Sequence, residues 1–239
     1  MELIGVDWPA PAQVRACATT RAGGLSFGPY RSLNLGDHVG DDPRTVARNR
    51  DRLCAHLGLP GVPAWLRQVH GRRVATLDGG CSDPEADAAV ARIPGAVCVV
   101  MTADGLPMLR CVDLGTRVAA VHAGWRGLAD GVVDSAVAAM EVAPERLLAW
   151  LGPAIGPDAF EVGVEVRDRF VGIDPRAREA FEPHGERWRA DLFALARLCL
   201  ARLGVGRVYG GGDCTFAQPE RFFSYRRDGV TGRMASLIW

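Results

Sequence analysis

Lysine is absent from this 239-residue chain: its 28 permanently cationic side chains are all arginine, and 28 aspartates and glutamates balance them. That balance excludes recruitment of nucleic acid or another polyanion through bulk charge. The arginine preference reads as the coding bias of a GC-rich genome. No apolar stretch approaches the roughly 20 residues needed to span a bilayer, so no membrane partner is expected. The opening residues, MELIGVDWPAPAQV, carry no basic segment followed by an apolar run and do not read as a secretory signal. The seven cysteines are an odd number and form no Cys-x-x-Cys pair. They fit reduced thiols in a cytoplasm better than a disulfide framework. There is no Gly-x-x-x-x-Gly-Lys-Ser/Thr loop, and no Gly-x-Gly-x-x-Gly opens a helix after a strand, which excludes the common nucleotide-binding folds. His-x-His clusters, internal repeats and low-complexity linkers are missing as well.

Ordinary globular content remains, 48% hydrophobic and 23% charged. Residues 14–19 read as a strand, followed by a glycine-bearing loop from Thr19 to Pro43, long enough to suggest function. Asp42 and Pro43 form a helix start, Val46, Arg50, Leu53, Cys54 and Leu57 follow at helical spacing, and Gly58 and Pro60 end the helix. Trp65 to Gly71 reads as a strand running into a turn, with Val74 to Leu77 as its hairpin partner, and 78–86 as loop. Ala88 to Ala91, Val97 to Met101, Val118 to Val121, Leu147 to Leu151, Phe160 to Val164 and Met234 to Trp239 are further strands. Helices are expected at Leu128 to Met140, near Glu165 to Phe170, and at Asp191 to Leu203. Without a regular βαβ rhythm, the pattern predicts one α+β domain over 1–239, with mixed β-sheets packed against helices.

The organising stretch is Val97 to Leu128, where two apolar runs each end in a glycine-bearing polar turn. A strand can hold a side chain rigidly at such an end while the turn exposes it. His122 stands there, and His70 stands at the equivalent place in Gln68–Val69–His70–Gly71. Imidazole in that position serves as metal ligand or proton shuttle, or simply as a structural group. Asp104 is either a general acid/base or a turn-forming aspartate. Trp125–Arg126–Gly127 precedes a helix whose free N–H groups could hold an anion. His38, His56 and His184 read as solvated or structural. Cys98, Cys111 and Cys199 read as core, and Cys214 as the most exposed thiol.

Several stretches, taken in order, resemble the YfiH family. They are Thr19–Thr20–Arg21–Ala22–Gly23–Gly24, Ser32–Leu33–Asn34–Leu35–Gly36, Gln68–Val69–His70–Gly71, Thr102–Ala103–Asp104, His122–Ala123–Gly124–Trp125–Arg126–Gly127, Leu151–Gly152–Pro153 and Phe223–Ser224–Tyr225–Arg226–Arg227–Asp228. Members of that family have been described as multicopper polyphenol oxidase or laccase-domain proteins and as purine nucleoside phosphorylases. The resemblance implies phosphorolysis of adenosine, inosine or methylthioadenosine, with adenosine deamination on the same site. It also implies a zinc, or alternatively copper, centre of two histidines and one cysteine, with His70 and His122 as the histidines. His70, His122 and Asp104 are the implied catalytic residues, and Arg21, Asn34, Gln68, Arg126 and Arg226 the implied substrate-binding residues. The partners implied are a purine nucleoside and phosphate, in a monomer or homodimer. The other readings are an amidase editing a wrongly added L-serine in peptidoglycan precursors, a polyphenol oxidase, and a binding protein without catalysis. In one place the chain departs from the pattern: the family's Thr-Ala-Asp-Cys-x-Pro reads Thr102–Ala103–Asp104–Gly105–Leu106–Pro107. Glycine supplies neither a thiolate ligand nor a nucleophile. An inactivating substitution, a member with reduced or altered activity, and a site completed by a neighbouring group all fit Gly105.

Overall fold

The computed structural model describes residues 1–79 and 85–239, so part of the loop expected at 78–86 lies outside the described residues. In chain order the strands are β1 (Leu3–Gly5), β2 (Ala16–Thr19), β3 (Pro63–Ala64), β4 (Val74–Thr76), β5 (Ala88–Ala91), β6 (Val97–Thr102), β7 (Leu106–Val112), β8 (Val118–Ala123), β9 (Leu147–Leu151), β10 (Glu161–Val162), β11 (Phe181–His184), β12 (Arg187–Ala190), β13 (Arg207–Gly210) and β14 (Met234–Ile238). The helices are α1 (Pro43–Leu57), α2 (Trp125–Ala129), α3 (Val132–Ala139), α4 (Val164–Ile173), α5 (Leu192–Arg202) and α6 (Tyr225–Asp228). A six-stranded sheet runs β13-β9-β7-β8-β5-β4, a five-stranded sheet β1-β2-β14-β6-β3, and a small one β10-β12-β11. Both large sheets mix parallel and antiparallel neighbours, which is the α+β class expected. Among the described residues no helix is long and apolar enough to cross a membrane.

Side chains alternate between the two faces of a strand, and here both faces are covered. On β7, Leu106, Met108 and Val112 face a core shared with Val132, Val133 and Ala136 of α3 and Leu195 and Leu200 of α5. Leu109 and Cys111 face the opposite way, toward Cys98, Val100 and Ile238 of the five-stranded sheet. The outer face of that sheet, with Val97, Val99 and Leu237, packs on Leu53 of α1 and on Leu33 and Leu35. The layers therefore run helix, sheet, sheet, helix. This explains why the central strands read as continuous apolar runs rather than alternating ones.

The long loop after β2 is ordered from inside. Asn49 of α1 is fully buried; its amide nitrogen donates to Ser26 Oγ at 2.9 Å and to the Asn34 carbonyl at 2.9 Å, and its Oδ1 accepts from Leu25 N at 2.8 Å. Asp42 caps α1 by accepting from Thr45 N, and Gly58 closes it in the left-handed region.

Several elements differ from expectation. Leu106–Val112 is a central strand, although Pro107 and Arg110 interrupt its apolar pattern. Val74–Thr76 does not pair with Trp65–Gly71; it runs parallel to β5. The helix expected over Leu128–Met140 is two, α2 and α3, divided by Gly131 at φ +88. A hairpin of β11 and β12 appears where no strands were expected.

Arg110 is buried completely on the helix-facing side of β7. Its guanidinium donates to the Val133 carbonyl at 3.3 Å and to the Met108 sulfur. No carboxylate pairs with it among the described residues. Burial drives its pKa down to about 10. Replacing a buried charge by an apolar side chain of similar length removes a desolvation cost. Arg110→Met should therefore raise stability by about 1–3 kcal/mol, read as a higher denaturant midpoint at unchanged slope. A midpoint below that of wild type would show that the two bonds outweigh desolvation.

Candidate active site

The carboxyl end of β8 delivers His122, and the antiparallel register of β5 with β8 (Ala88↔Val121) places Asp87 directly opposite it. His122 N donates to the Asp87 carbonyl at 2.7 Å, and His122 Nδ1 lies 2.9 Å from Asp87 Oδ1. The Asp87 side chain is fully buried. It also accepts from His70 N (3.0 Å), Val69 N (3.2 Å) and Gly71 N (2.7 Å). Burial alone would push this carboxyl up, but hydrogen bonds from His122 and from the Gly71 and Val69 amides outweigh it and hold the pKa below the usual carboxylate range. One carboxylate thus fixes the His122 ring and the whole 69–71 turn. The bond to Asp87 takes up the Nδ1 side of the His122 ring and turns Nε2 toward the cavity.

His70 sits in that turn at φ +60, a left-handed conformation that the three amide bonds to Asp87 hold. Its ring lies 4.9 Å from that of His122, edge to face. Partial burial, then repulsion from His122 and from Arg126, moves its pKa below that of a free imidazole, so it is neutral at pH 7. For a histidine depressed in this way the unfolded chain binds the proton first. Stability is therefore intact above about pH 6.5 and is lost as pH falls below that value. Asp87 adds loss of the same sign at lower pH, because its stabilisation disappears as pH falls through its depressed folded pKa. The urea midpoint should fall between about pH 7.5 and 5.5, and less so in His70→Gln, whose side chain cannot titrate. Equal falls in both proteins would exclude His70 as the source.

The second strand end, after β6, is the tight turn Thr102–Gly105. Asp104 there has φ +86. Its Oδ1 accepts from Thr215 Oγ1 at 2.7 Å and its Oδ2 from Arg226 N at 2.7 Å. Each oxygen holds one bond, so Asp104 staples the 213–226 segment to the turn. A Cβ at Gly105 would meet His122 Nε2 at 2.7 Å, and one at Gly124 would lie 3.3 Å from Nε2 and 3.4 Å from His70 Cδ2. The His122 ring leans onto the place that a side chain at 105 would take.

These groups wall a cavity of about 650 Å³, which brings together Gln68, His70, Asp104, Gly105, His122, Arg126 and Arg226. Gln68 spends its amide on Met101, donating to its carbonyl at 2.8 Å and accepting from its N–H at 2.7 Å, and so extends β6 rather than reaching inward. Arg226 donates to the Glu161 carbonyl and lies against Phe160, while Arg126 is exposed over Trp125. Two expected substrate-binding residues are not in the cavity. The Arg21 guanidinium donates to the carbonyls of Arg31 and Pro219 over the Phe223 ring. Asn34 is fully buried among backbone groups. The sequence reading missed Asp87, His38, Tyr225 and Arg233. Of these, Asp87 carried a signal, a charged residue at the very start of an apolar strand. A second cavity, of about 670 Å³ around Arg15, Arg92 and Trp239, has no histidine, aspartate or glutamate side chain in its lining.

The donor set does not fit a resident metal. Two imidazoles converge, glycine stands at 105, and Asp87 is turned to Nδ1 of His122. Among the described residues no group of three or more histidine, cysteine or acidic side chains could hold an ion. An open zinc site takes three protein ligands.

A family model described as multi-copper polyphenol oxidoreductase laccase matches residues 15–239. The chain is similar to a protein of Shigella flexneri named purine nucleoside phosphorylase YfiH, at 54% identity over 100% of this chain and 98% of that one. It is likewise similar to a purine nucleoside phosphorylase of Pseudomonas aeruginosa, at 55% identity over 98% and 96% of the two chains. The crystal structure of a Neisseria meningitidis protein of the DUF152 family superposes with a TM-score of 0.95 at 53% identity, covering 100% of this chain and 99% of that one.

Proposed function

The chain belongs to the multi-copper polyphenol oxidoreductase laccase family, and from that membership we propose that it is a purine nucleoside phosphorylase working without a resident metal at the His70/His122 cavity. The names of its relatives support the substrate class, and adenosine, inosine and methylthioadenosine are the nucleosides it would take. One observation carries the reading: His122 is oriented by Asp87 so that Nε2 faces a nucleoside-sized cavity with arginines in its wall. In phosphorolysis an oxygen of dihydrogen phosphate bonds to C1′ of the sugar. The C1′–N9 bond breaks with its electron pair going to the base, and the base takes up one proton. Nε2 of His122 is the group that would accept the proton from the phosphate and return it to the base. Asp87 stabilises the imidazolium formed in between. Deamination needs an activated water instead, and without a thiolate at 105 the two imidazoles offer an incomplete zinc site to activate one.

The test is hypoxanthine release from inosine with and without phosphate. Stoichiometric hypoxanthine and ribose 1-phosphate, dependent on phosphate, is the expected result. Release independent of phosphate would make the enzyme a hydrolase and overturn the proposal. A pocket that binds nucleoside without turnover is the second reading, favoured by the missing side chain at 105, and no release alongside measurable inosine binding would select it.

A further inference from the structure

The Ser32–Gly36 stretch touches no part of the cavity, yet its bonds converge on one residue that does. Asn34 Oδ1 accepts from Arg233 N at 2.9 Å, and Leu35 N donates to the Arg233 carbonyl at 3.1 Å. The Asn34 amide nitrogen is held in turn by Asp41 Oδ2 at 2.9 Å. A Cβ on Gly36 would stand 2.7 Å from Arg233 Cγ, so only glycine lets the arginine stem lie where it does. The stretch is a cradle that aims Arg233 from the far end of the chain.

The guanidinium so placed lines the cavity beside His38 and the Tyr225 ring, whose centre is 6.0 Å away. Its Nη1 donates to the Thr231 and Gly232 carbonyls at 3.2 and 3.0 Å. Among the described residues Nε and Nη2 have no hydrogen-bond partner, and no carboxylate is in ion-pair contact. Asp104 is the acidic group that bears on it most, but each Asp104 oxygen already holds another bond. Burial lowers the Arg233 pKa from its ordinary value, a desolvation cost that a bound anion would relieve. The other arginines are less suited: Arg21 is outside the cavity with two donors on carbonyls, and Arg226 and Arg126 are exposed, the first holding the Glu161 carbonyl and the second lying on Trp125.

We propose that Arg233, set by the Asn34–Gly36 cradle, is the residue of this cavity that takes a phosphate oxyanion, either free phosphate or the 5′-phosphate of a nucleotide. A fixed guanidinium with two unused N–H donors matches two oxygens of such a group. That the anion is the co-substrate of phosphorolysis rests on the function proposed above; where it binds does not.

Calorimetric titration of the full chain with inorganic phosphate, and separately with inosine 5′-monophosphate, tests this. Wild type should bind at least one of them saturably, and Arg233→Met should weaken that binding by at least about tenfold. Arg233→Lys keeps the charge without the fork and should fall between. Gly36→Ala displaces the stem without altering charge and should weaken binding at least about fivefold, which keeps the proposal testable if Arg233→Met does not fold. Tighter binding of the nucleotide identifies its 5′-phosphate as the source, and tighter binding of phosphate identifies the free ion. Equal affinity in wild type and Arg233→Met, or no binding of either probe by wild type, overturns the assignment. Arg233-dependent phosphate binding without hypoxanthine release would reject phosphorolysis and keep the anion site. Release with an unchanged phosphate KM in Arg233→Met would do the reverse.

Discussion

Gly105→Cys should bring about one equivalent of zinc into the purified chain and, through a metal-activated water, give it adenosine deamination. The geometry sets both expectations. A Cβ on residue 105 would meet His122 Nε2 and stand 3.6 Å from Gly124 Cα, and a Cβ on Gly124 would in turn lie 3.4 Å from His70 Cδ2. A thiolate there would join two imidazoles whose orientation Asp87 already holds, completing three protein ligands with a fourth position open. The new Cβ needs space that His122 occupies, 2.7 Å from Nε2. The ring must therefore withdraw while keeping its Asp87 bond, and a stability loss of about 1–3 kcal/mol should accompany the gain. Adenosine deamination, not expected of the wild type, should appear only in this variant. Inductively coupled plasma mass spectrometry and an adenosine deamination assay on both proteins decide it. Unchanged metal content together with an unchanged rate would mean that the missing thiol is not what limits this chain.

Asp87→Ala should cost about 3–5 kcal/mol of stability and abolish measurable turnover. The carboxylate is fully buried and serves four N–H donors, three from the backbone of 69–71 and one from the His122 ring. Removing it leaves all four buried or half-buried without a partner, and the left-handed His70 turn loses what holds it. Asp87→Asn preserves the shape but presents an amide N–H₂ to donors, so a smaller loss of about 1–3 kcal/mol is expected, with the His122 tautomer released. Chemical denaturation with the hypoxanthine assay separates the two effects. An Asp87→Asn variant with wild-type rate would show that His122 needs no orienting partner.

How much of this was legible in the sequence depends on the range of the interactions involved. β5, β6, β8 and β9 were readable because both faces are buried and each strand is an unbroken apolar run. β7 was not, because Arg110 is accommodated by carbonyl and sulfur contacts from elsewhere, and only the assembled core allows a cation there. Gly131 splits a helix whose apolar spacing continues across it. His70 and His122 were legible as a pair only through the resemblance, since they stand 52 positions apart along the chain and nothing local links them.

The sequence alone determined the class, alternating apolar runs and capped helices in an α+β order, together with the two histidines at strand ends and the absence of a side chain at 105. Those are properties of single segments, set by periodicity, capping and residue identity. The tertiary structure alone decided that Asp87 orients His122, that Asp104 is a staple, that Arg21 and Asn34 lie outside the cavity, and that Asn34 instead aims Arg233 into it. Each of those depends on strand register or on a hydrogen bond across as many as 199 positions of the chain. A short-range pattern cannot encode such a contact; only the closed packing of the two sheets brings its partners within bonding distance.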